Sequence, residues 1–179
     1  MKRDPTPDAL TATPSTVRAV DARDLSLVFQ TADGPVTALT EVNLTIARGE
    51  FVSFIGPSGC GKTTLMRVIA DLEQPTGGTI TVNGLSPHEA RLKRAYGYVF
   101  QAAALYPWRS VIRNVMLPLE IMGVPAEERR ERARAQLKKV GLEAFEKKFP
   151  WQLSGGMQQR ASIARALALE PELLLMDEP

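Results

Sequence analysis

One stretch of this sequence constrains the fold more than any other, because its spacing matches that of a loop that binds phosphate groups. Residues 56–63 read GPSGCGKT and fit the pattern G-x-x-x-x-G-K-[ST]. The nearly continuous apolar run 50–55 precedes this loop and predicts a buried strand of a parallel sheet, and the pattern of residues 62–71 predicts a helix after it. Strand, glycine-rich loop and helix in this order predict an α/β fold of the P-loop type.

The residue types in this loop suit a nucleotide and its magnesium ion. Glycines let the backbone turn its N–H groups towards phosphate oxygens, and the N-terminus of the following helix attracts the same anion. Lys62 is expected to reach the β- and γ-phosphates, and the Thr63 hydroxyl is expected to bind Mg²⁺. The predicted nucleotide contacts are Gly56, Pro57, Ser58, Gly59, Cys60, Gly61, Lys62, Thr63 and Thr64. The alternative is a turn that binds nothing and fits the pattern by chance, which is expected in about one chain in a hundred of this length.

A second apolar run, residues 173–176, predicts another buried strand, and Asp177 and Glu178 follow it directly. An Asp at the carboxyl end of a parallel strand is where a nucleotide site of this kind holds its metal ion. Glu178, one residue further, is positioned to polarise a water molecule as a general base. An acidic pair alone often does no more than end a strand, but the phosphate loop upstream favours the functional interpretation.

A third motif, residues 153–160, reads LSGGMQQR. Ser154 is the predicted N-cap of a helix over residues 155–169. The two glycines in its first turn each cost about 1 kcal/mol of helix stability relative to alanine, so some other interaction should compensate. Bare backbone at a helix N-terminus lets a phosphate approach closely. A second phosphate-binding helix end in one chain suggests a site that two subunits share.

Residues 153–160 resemble the signature motif of ABC transporter ATPases. They lie between a matching Walker A motif at 56–63 and a matching Walker B motif at 173–178, in the order of that family, and the resemblance covers residues 20–179. It implies an α/β, RecA-like P-loop NTPase core with an antiparallel β subdomain and an inserted helical subdomain at about 102–154. It also implies that residues 17–179 are an ABC ATPase domain that binds ATP and Mg²⁺.

The resemblance assigns roles residue by residue. In this family two ATPase subunits pair head to tail, so that the signature motif of one covers the ATP held by the other. Gln101 matches the Q-loop glutamine, which contacts Mg²⁺ and the attacking water; the alternative is a surface glutamine at a strand end. Phe29 matches the aromatic residue that stacks on adenine; the alternative is an ordinary core phenylalanine. The implied ATP contacts across the dimer are Ser154, Gly155, Gly156 and Gln158, the implied catalytic residues are Glu178, Gln101 and Lys62, and the implied Mg²⁺ ligands are Thr63, Gln101 and Asp177.

Residues 105–119 look like the corresponding segment of importers for nitrate, sulfonates and taurine. In that group the segment lies in the helical subdomain that receives the coupling helix of the permease. The alternative is a hydrophobic patch buried within the helical subdomain. The implied partners are transmembrane permease subunits, a second copy of the ATPase and, indirectly, a solute-binding protein. The implied location is the cytoplasmic face of the inner membrane, as a peripheral subunit. Two other functions stay open: an ATP-binding module that does not hydrolyse ATP, and a soluble ABC-type ATPase.

Composition limits these possibilities. The formal net charge of +2 is too small to favour nucleic acid as a partner. The single cysteine, Cys60, excludes an internal disulfide and fits a reducing compartment. No apolar run approaches the ~20 residues that span a bilayer, which predicts that any membrane role comes through partners. Residues 1–16 are rich in Pro, Thr, Ala and Asp and predict a disordered tail.

The sequence departs from the family at its end. The D-loop and the switch histidine of the family lie downstream of the Walker B motif, and this sequence ends at Pro179. His88 is the single histidine, and it lies in a predicted loop upstream of that motif. We therefore expect a fragment that lacks the C-terminal part of the domain.

Overall fold

The computed structural model describes residues 18–178, so the tail predicted over residues 1–16 lies outside the described residues. Three antiparallel strands, β1 (Arg18–Thr31), β2 (Gly34–Ala47) and β3 (Gly77–Val82), form one sheet in the order β2-β1-β3. Thr31 pairs with Gly34 across the two-residue turn that joins β1 to β2. This sheet confirms the antiparallel β part of the predicted fold.

A bulge in β1 sets which residues of the strand face the core. The buried positions are Ala19, Val20 and Ala22, then Leu25 and Leu27, so the alternation that places Val20 and Ala22 in the core shifts by one residue before Leu25. The strand pairing slips at the same point. Every buried residue of β1 therefore reaches one core, although a regular alternation would place half of them on the solvent face.

The described residues also form five α-helices: α1 (Lys62–Ile69), α2 (Pro87–Leu92), α3 (Val111–Ile121), α4 (Ala126–Lys139) and α5 (Gly155–Leu167). Helix α1 packs with the three-stranded sheet around one apolar cluster. Helices α3, α4 and α5 form a second cluster, in which Val115, Leu119, Leu137 and Ala161 are fully buried. Among these helices, none has the length and apolarity needed to cross a membrane.

Two short strands connect the helical part to the rest. Strands β4 (Tyr96–Val99) and β5 (Leu173–Met176) pair in parallel, with Tyr96 opposite Leu173. Strand β4 also lies close against α5, since a Cβ atom on Gly97 would be 3.0 Å from the carbonyl oxygen of Ala166. Because parallel strands end at the same edge, the residues that follow β4 and β5 lie side by side.

The strand predicted over residues 50–55 is wrong. The segment pairs with no strand of the described residues, and Phe51 and Ile55 are 84% and 96% exposed. A cleft of about 570 Å³, lined by residues such as Phe54, Met66 and Leu175, lies between this segment and β5. An apolar run forms a strand only where a neighbouring backbone lies within hydrogen-bonding reach, and here the cleft keeps β5 out of reach.

The loop predicted around His88 is also wrong, because His88 lies in α2. Ser86 caps this helix by accepting a hydrogen bond from the backbone N–H of Glu89, and the Glu89 carboxylate accepts one from the Ser86 N–H in return. Pro87 occupies the first turn, where its missing N–H costs nothing. This capping box provides enough local stabilisation for a helix of six residues.

Candidate functional site

The glycine-rich loop has the curved backbone that its sequence predicts. Gly59 and Gly61 have φ angles of 81° and 95°, in the region that favours glycine. A Cβ atom on Gly61 would lie 2.7 Å from the carbonyl oxygen of Ala38, so β2 approaches too closely for a side chain at this position. Ser58 is exposed on the same loop, and Thr64 lies in the first turn of α1.

Positive charge is concentrated at this loop. The ammonium group of Lys62 donates hydrogen bonds to the carbonyl oxygens of Gly56 and Pro57, both at 2.9 Å, and lies 3.7 Å from the sulfur of Cys60. Helix α1 begins at Lys62 and has no acidic side chain in its first turn, so the positive end of its dipole is not neutralised there. An anion such as a phosphate group is stabilised by both features.

Thr63 and Asp177 meet although they are far apart in sequence. The Thr63 hydroxyl donates a hydrogen bond of 2.7 Å to the Asp177 carboxylate, across 114 positions of the chain. Asp177 is only 6% exposed, and its backbone N–H donates to the carbonyl oxygen of Val99 at 2.9 Å. A hydroxyl and a carboxylate oxygen at one point are the hard oxygen ligands that Mg²⁺ prefers, so these residues fit the predicted ion.

Gln101 and Glu178 also come together. They follow β4 and β5 respectively, and the Gln101 amide donates a hydrogen bond of 2.6 Å to the Glu178 carboxylate. Glu178 is exposed and has a φ of 47°, a left-handed backbone that is uncommon for a residue with a side chain.

Tyr98 belongs to the same region, and sequence reasoning missed it. Its hydroxyl is buried and has no hydrogen-bond partner within residues 18–178. Burial, reinforced by the negative charge of Asp177, raises the pKa of Tyr98 to about 12. Tyr98 pairs with Leu175 across the parallel ladder, and Asp177 follows two residues later, directly after the end of β5. Strand alternation could therefore have identified this neighbour.

The signature segment forms a separate part of the site. The Ser154 hydroxyl accepts a hydrogen bond of 3.3 Å from the Met157 N–H, which confirms the predicted N-cap of α5. The Gln158 amide donates to the carbonyl oxygen of Leu153 at 3.3 Å. Within residues 18–178 no hydrogen bond joins this segment to the loop 56–63. Residues 154–156 are exposed, and they form no hydrogen bond with the phosphate loop described in the same chain.

The glycines of the signature segment are not needed for packing among the described residues. A Cβ atom added to Gly155 or to Gly156 would meet no atom of these residues within 4 Å. Both residues have helical backbone angles, which every other residue type also adopts.

Phe29 lies in β1 opposite Val36 and is partly buried against the core formed by the sheet and α1. This environment fits the ordinary core phenylalanine that the sequence left open. Stacking of Phe29 on an adenine ring stays a prediction.

The comparisons with known proteins agree with this geometry. The profile of the ABC transporter family matches residues 39–179. A taurine import ATP-binding protein of Yersinia pestis bv. Antiqua is 50% identical over 142 residues, which cover 79% of this chain and 55% of that protein. A nitrate import ATP-binding protein of Synechocystis sp. is 46% identical over 160 residues, which cover 89% of this chain and 59% of that protein. The chain thus spans between 55% and 59% of the length of these two relatives.

A solved structure supports the same assignment of fold. It is the dimeric structure of an ATP-binding cassette in a post-hydrolysis state, bound to ADP and Pi, and it is 40% identical in sequence with a TM-score of 0.78. The match covers 88% of this chain and 73% of that chain. The predicted P-loop NTPase fold is therefore confirmed, and this chain belongs to the ABC transporter family, among its ATP-binding subunits.

Proposed function

We propose that the protein binds ATP with Mg²⁺ and hydrolyses it to drive solute import through an ABC transporter permease. The observation that carries this proposal is the 2.7 Å hydrogen bond between Thr63 and Asp177. It joins the phosphate loop to the end of β5, so the nucleotide-binding element and the acidic residues share one site.

The phosphate loop and the two oxygen ligands would hold the nucleotide. Lys62 would release the carbonyl oxygens of Gly56 and Pro57 and turn its ammonium group to the β- and γ-phosphates. Thr63 and Asp177 would bind Mg²⁺, with Gln101 as a further ligand. The ion would neutralise the negative charge that develops on the phosphate oxygens during transfer.

Glu178 would act as the general base. Its exposed carboxylate can accept a proton from a water molecule beside the γ-phosphate. The Gln101 amide, 2.6 Å from that carboxylate, would fix the carboxylate and present its own carbonyl oxygen to the ion or the water. Residues after two parallel strands would in this way form the catalytic pair.

A second copy of the chain would complete the site. Glycine destabilises a helix, and no packing contact within residues 18–178 requires glycine at positions 155 and 156. The open backbone at Ser154–Gly156 is therefore best explained by a ligand from outside the chain, such as the γ-phosphate held by a partner in a head-to-tail dimer. The dimeric cassette with 40% identity is consistent with this arrangement.

The permease would bind at the helical part, which we place at about residues 102–154. Tyr106 and Trp108 are 41% and 72% exposed, and Ile121 and Met122 are also exposed. The rings of Tyr106 and Trp108 are in contact, with centroids 5.1 Å apart and planes tilted by 46°. Exposed aromatic and apolar side chains in one segment are typical of protein interfaces. The protein would then work at the cytoplasmic face of the inner membrane, with a solute-binding protein as an indirect partner and no nucleic acid.

The transported compound would be a small solute such as nitrate, a sulfonate or taurine. The relatives named for taurine and nitrate are 50% and 46% identical. Identities of this size do not select one solute, since a relative named for Fe(3+) ions import is also 46% identical.

The roles of Lys62 and Glu178 can be tested with two substitutions. Lys62→Ala should lose ATP binding, measured by calorimetry, because the loop loses its charge. Glu178→Gln should keep ATP binding but lose turnover by about 10²-fold or more, because the base is removed. Glu172→Gln serves as a control, since Glu172 is an exposed acidic residue just before β5 that is paired with Arg48.

Three outcomes would overturn parts of this proposal. Full turnover by Glu178→Gln would remove Glu178 from the role of base. ATP binding without turnover in the unmutated chain would favour the non-hydrolysing module. Co-purification with ribosomes or nucleic acid, instead of a permease, would favour a soluble ABC-type ATPase.

A further inference from the structure

The loop that carries Gln101 has no regular structure of its own between β4 and α3. Side chains of neighbouring helices hold it instead. Gln159 of α5 donates a hydrogen bond of 3.1 Å to the carbonyl oxygen of Phe100, directly before Gln101. Near α3, the fully buried side-chain amide of Asn114 accepts a hydrogen bond from the N–H of Tyr106 and donates one to the carbonyl oxygen of the same residue.

Arg165 of α5 holds the middle of this loop. Its two terminal nitrogens donate to successive carbonyl oxygens, at 2.8 Å to Ala104 and at 3.0 Å to Ala103. No carboxylate of residues 18–178 lies within 4 Å of this guanidinium. Burial lowers the pKa of Arg165. Among the described residues no acidic side chain pairs with this guanidinium, and its N–H donors bind backbone carbonyls instead. The hydrogen bonds of this partly buried arginine therefore fix the backbone of the loop.

The conformation of the loop supports this function. Ala104 has a φ of 46°, a left-handed conformation that costs free energy for a residue with a Cβ atom. The hydrogen bond from Arg165 to the Ala104 carbonyl offsets this strain. Because β4 also packs closely on α5 at Gly97, the strand, the loop and the helix are fixed to one another at three places.

We propose that Arg165 is a positioning residue, which together with Gln159 fixes the loop 100–104 so that the Gln101 amide meets the Glu178 carboxylate. The significance of this contact for hydrolysis rests on the function proposed above. The attachment also ties the Gln101 loop to the helix that begins at the signature segment, so a displacement of one is transmitted to the other.

The test measures how well the loop is held, by limited digestion with chymotrypsin. Cleavage after Phe100 and Trp108, which are 41% and 72% exposed, reports on the loop, and cleavage after Phe51 is an internal reference in a separate segment. In Arg165→Gln, loop cleavage should accelerate about tenfold relative to Phe51, and Arg165→Lys should lie between that variant and the unmutated chain. Arg160→Gln is the matched control, because Arg160 also lies on α5 and donates to a backbone carbonyl, but to Val140.

Turnover gives a second readout. In Arg165→Gln we expect kcat to fall about tenfold while the KM for ATP changes less than twofold, because the phosphate loop is untouched and only the geometry of Gln101 is lost. Equal acceleration of cleavage at all sites, or unchanged loop cleavage, would overturn the proposal. An unchanged kcat in a turnover-competent chain would also overturn it. If the unmutated chain has no turnover, the proposed function fails, and the digestion alone decides whether Arg165 holds the loop.

Discussion

At the scale of the residue, burial and the negative charge of Asp177 both act on the hydroxyl of Tyr98. The Tyr98 hydroxyl has no hydrogen-bond partner within the described residues, whereas the hydroxyl of Tyr96, on the same face of β4, donates to the carbonyl oxygen of Ala70. Two tyrosines in one strand therefore differ in whether their polar group is satisfied. This difference makes a matched pair of substitutions possible.

Tyr98→Phe should not destabilise the protein at neutral pH. It removes an unpaired buried hydroxyl, so the free energy of unfolding should stay the same or rise by up to about 1 kcal/mol. Because the pKa of Tyr98 is raised to about 12 in the folded protein, Tyr98 contributes stability below its unfolded pKa near 10 that is lost as the pH rises from about 10 to 12. The variant should therefore lose less stability over this range, measured by urea unfolding.

Tyr96→Phe is the control for this measurement. It removes a hydroxyl that is bonded, so it should lower the free energy of unfolding at neutral pH by about 1 kcal/mol. If Tyr98→Phe were as destabilising as Tyr96→Phe, the Tyr98 hydroxyl would have a partner in solution, and the interpretation above would be wrong.

Sequence reasoning located the residues that touch at the site but not those that hold them. Thr63, Asp177, Gln101 and Glu178 could be predicted because a motif or a strand end marks each of them. Arg165 could not, because its hydrogen bonds go to backbone carbonyls, which every residue possesses and no pattern of letters records.

At the scale of the element, helix α5 combines weak local stability with an open N-terminus. Gly156→Ala should stabilise the chain by about 0.5–1 kcal/mol and raise its Tm by roughly 1–4 °C, because alanine forms helix better and its Cβ meets no atom of residues 18–178. The same methyl group would project where we propose that a partner's phosphate binds. ATP-dependent dimerisation, measured by light scattering, should therefore be weakened about tenfold or more.

A matched substitution separates the two effects. Ala161→Gly lowers the helix propensity of α5, whereas Gly156→Ala raises it. Ala161 is fully buried and lies away from the N-terminus of the helix. It should lower the Tm without acting on the phosphate directly. Dimerisation by Gly156→Ala equal to that of the unmutated chain would contradict a shared site.

The elements themselves were predictable where local chemistry decides them. The helix of the P-loop, the helix after Ser154 and strand β5 all lie where spacing and capping predict. The segment 50–55 is an apolar run like β5, but of the two only β5 pairs with a neighbouring strand. A strand depends on a second strand, and a single run of residues does not contain that information.

At the scale of the whole molecule, the exposed segment 50–55 and its cleft present an apolar surface to solvent. Phe51 and Ile55 are the two most exposed of the large apolar side chains described. We expect the pure chain to bind an environment-sensitive dye such as ANS and to self-associate with rising concentration, because contiguous apolar surface is removed from water by association. The double variant Phe51→Ser, Ile55→Thr should reduce both effects.

Leu92→Ser provides the comparison, since Leu92 is 61% exposed but lies on α2, away from the cleft. It should leave dye binding and association as they are. Equal effects of the double variant and Leu92→Ser in sedimentation velocity would show that the cleft is not the surface responsible.

The hydrogen bond between Thr63 and Asp177 also has a consequence for the growing chain. It joins residues 114 positions apart, so the phosphate loop is made long before its acidic partner. At ~5–20 residues per second, the ribosome needs roughly 6 to 23 s to add the residues between them. During that interval the strands β1 to β3 and helix α1 can already fold. If the protein binds ATP and Mg²⁺ as proposed, a nascent chain would therefore lack one of the metal ligands until Asp177 has left the ribosome.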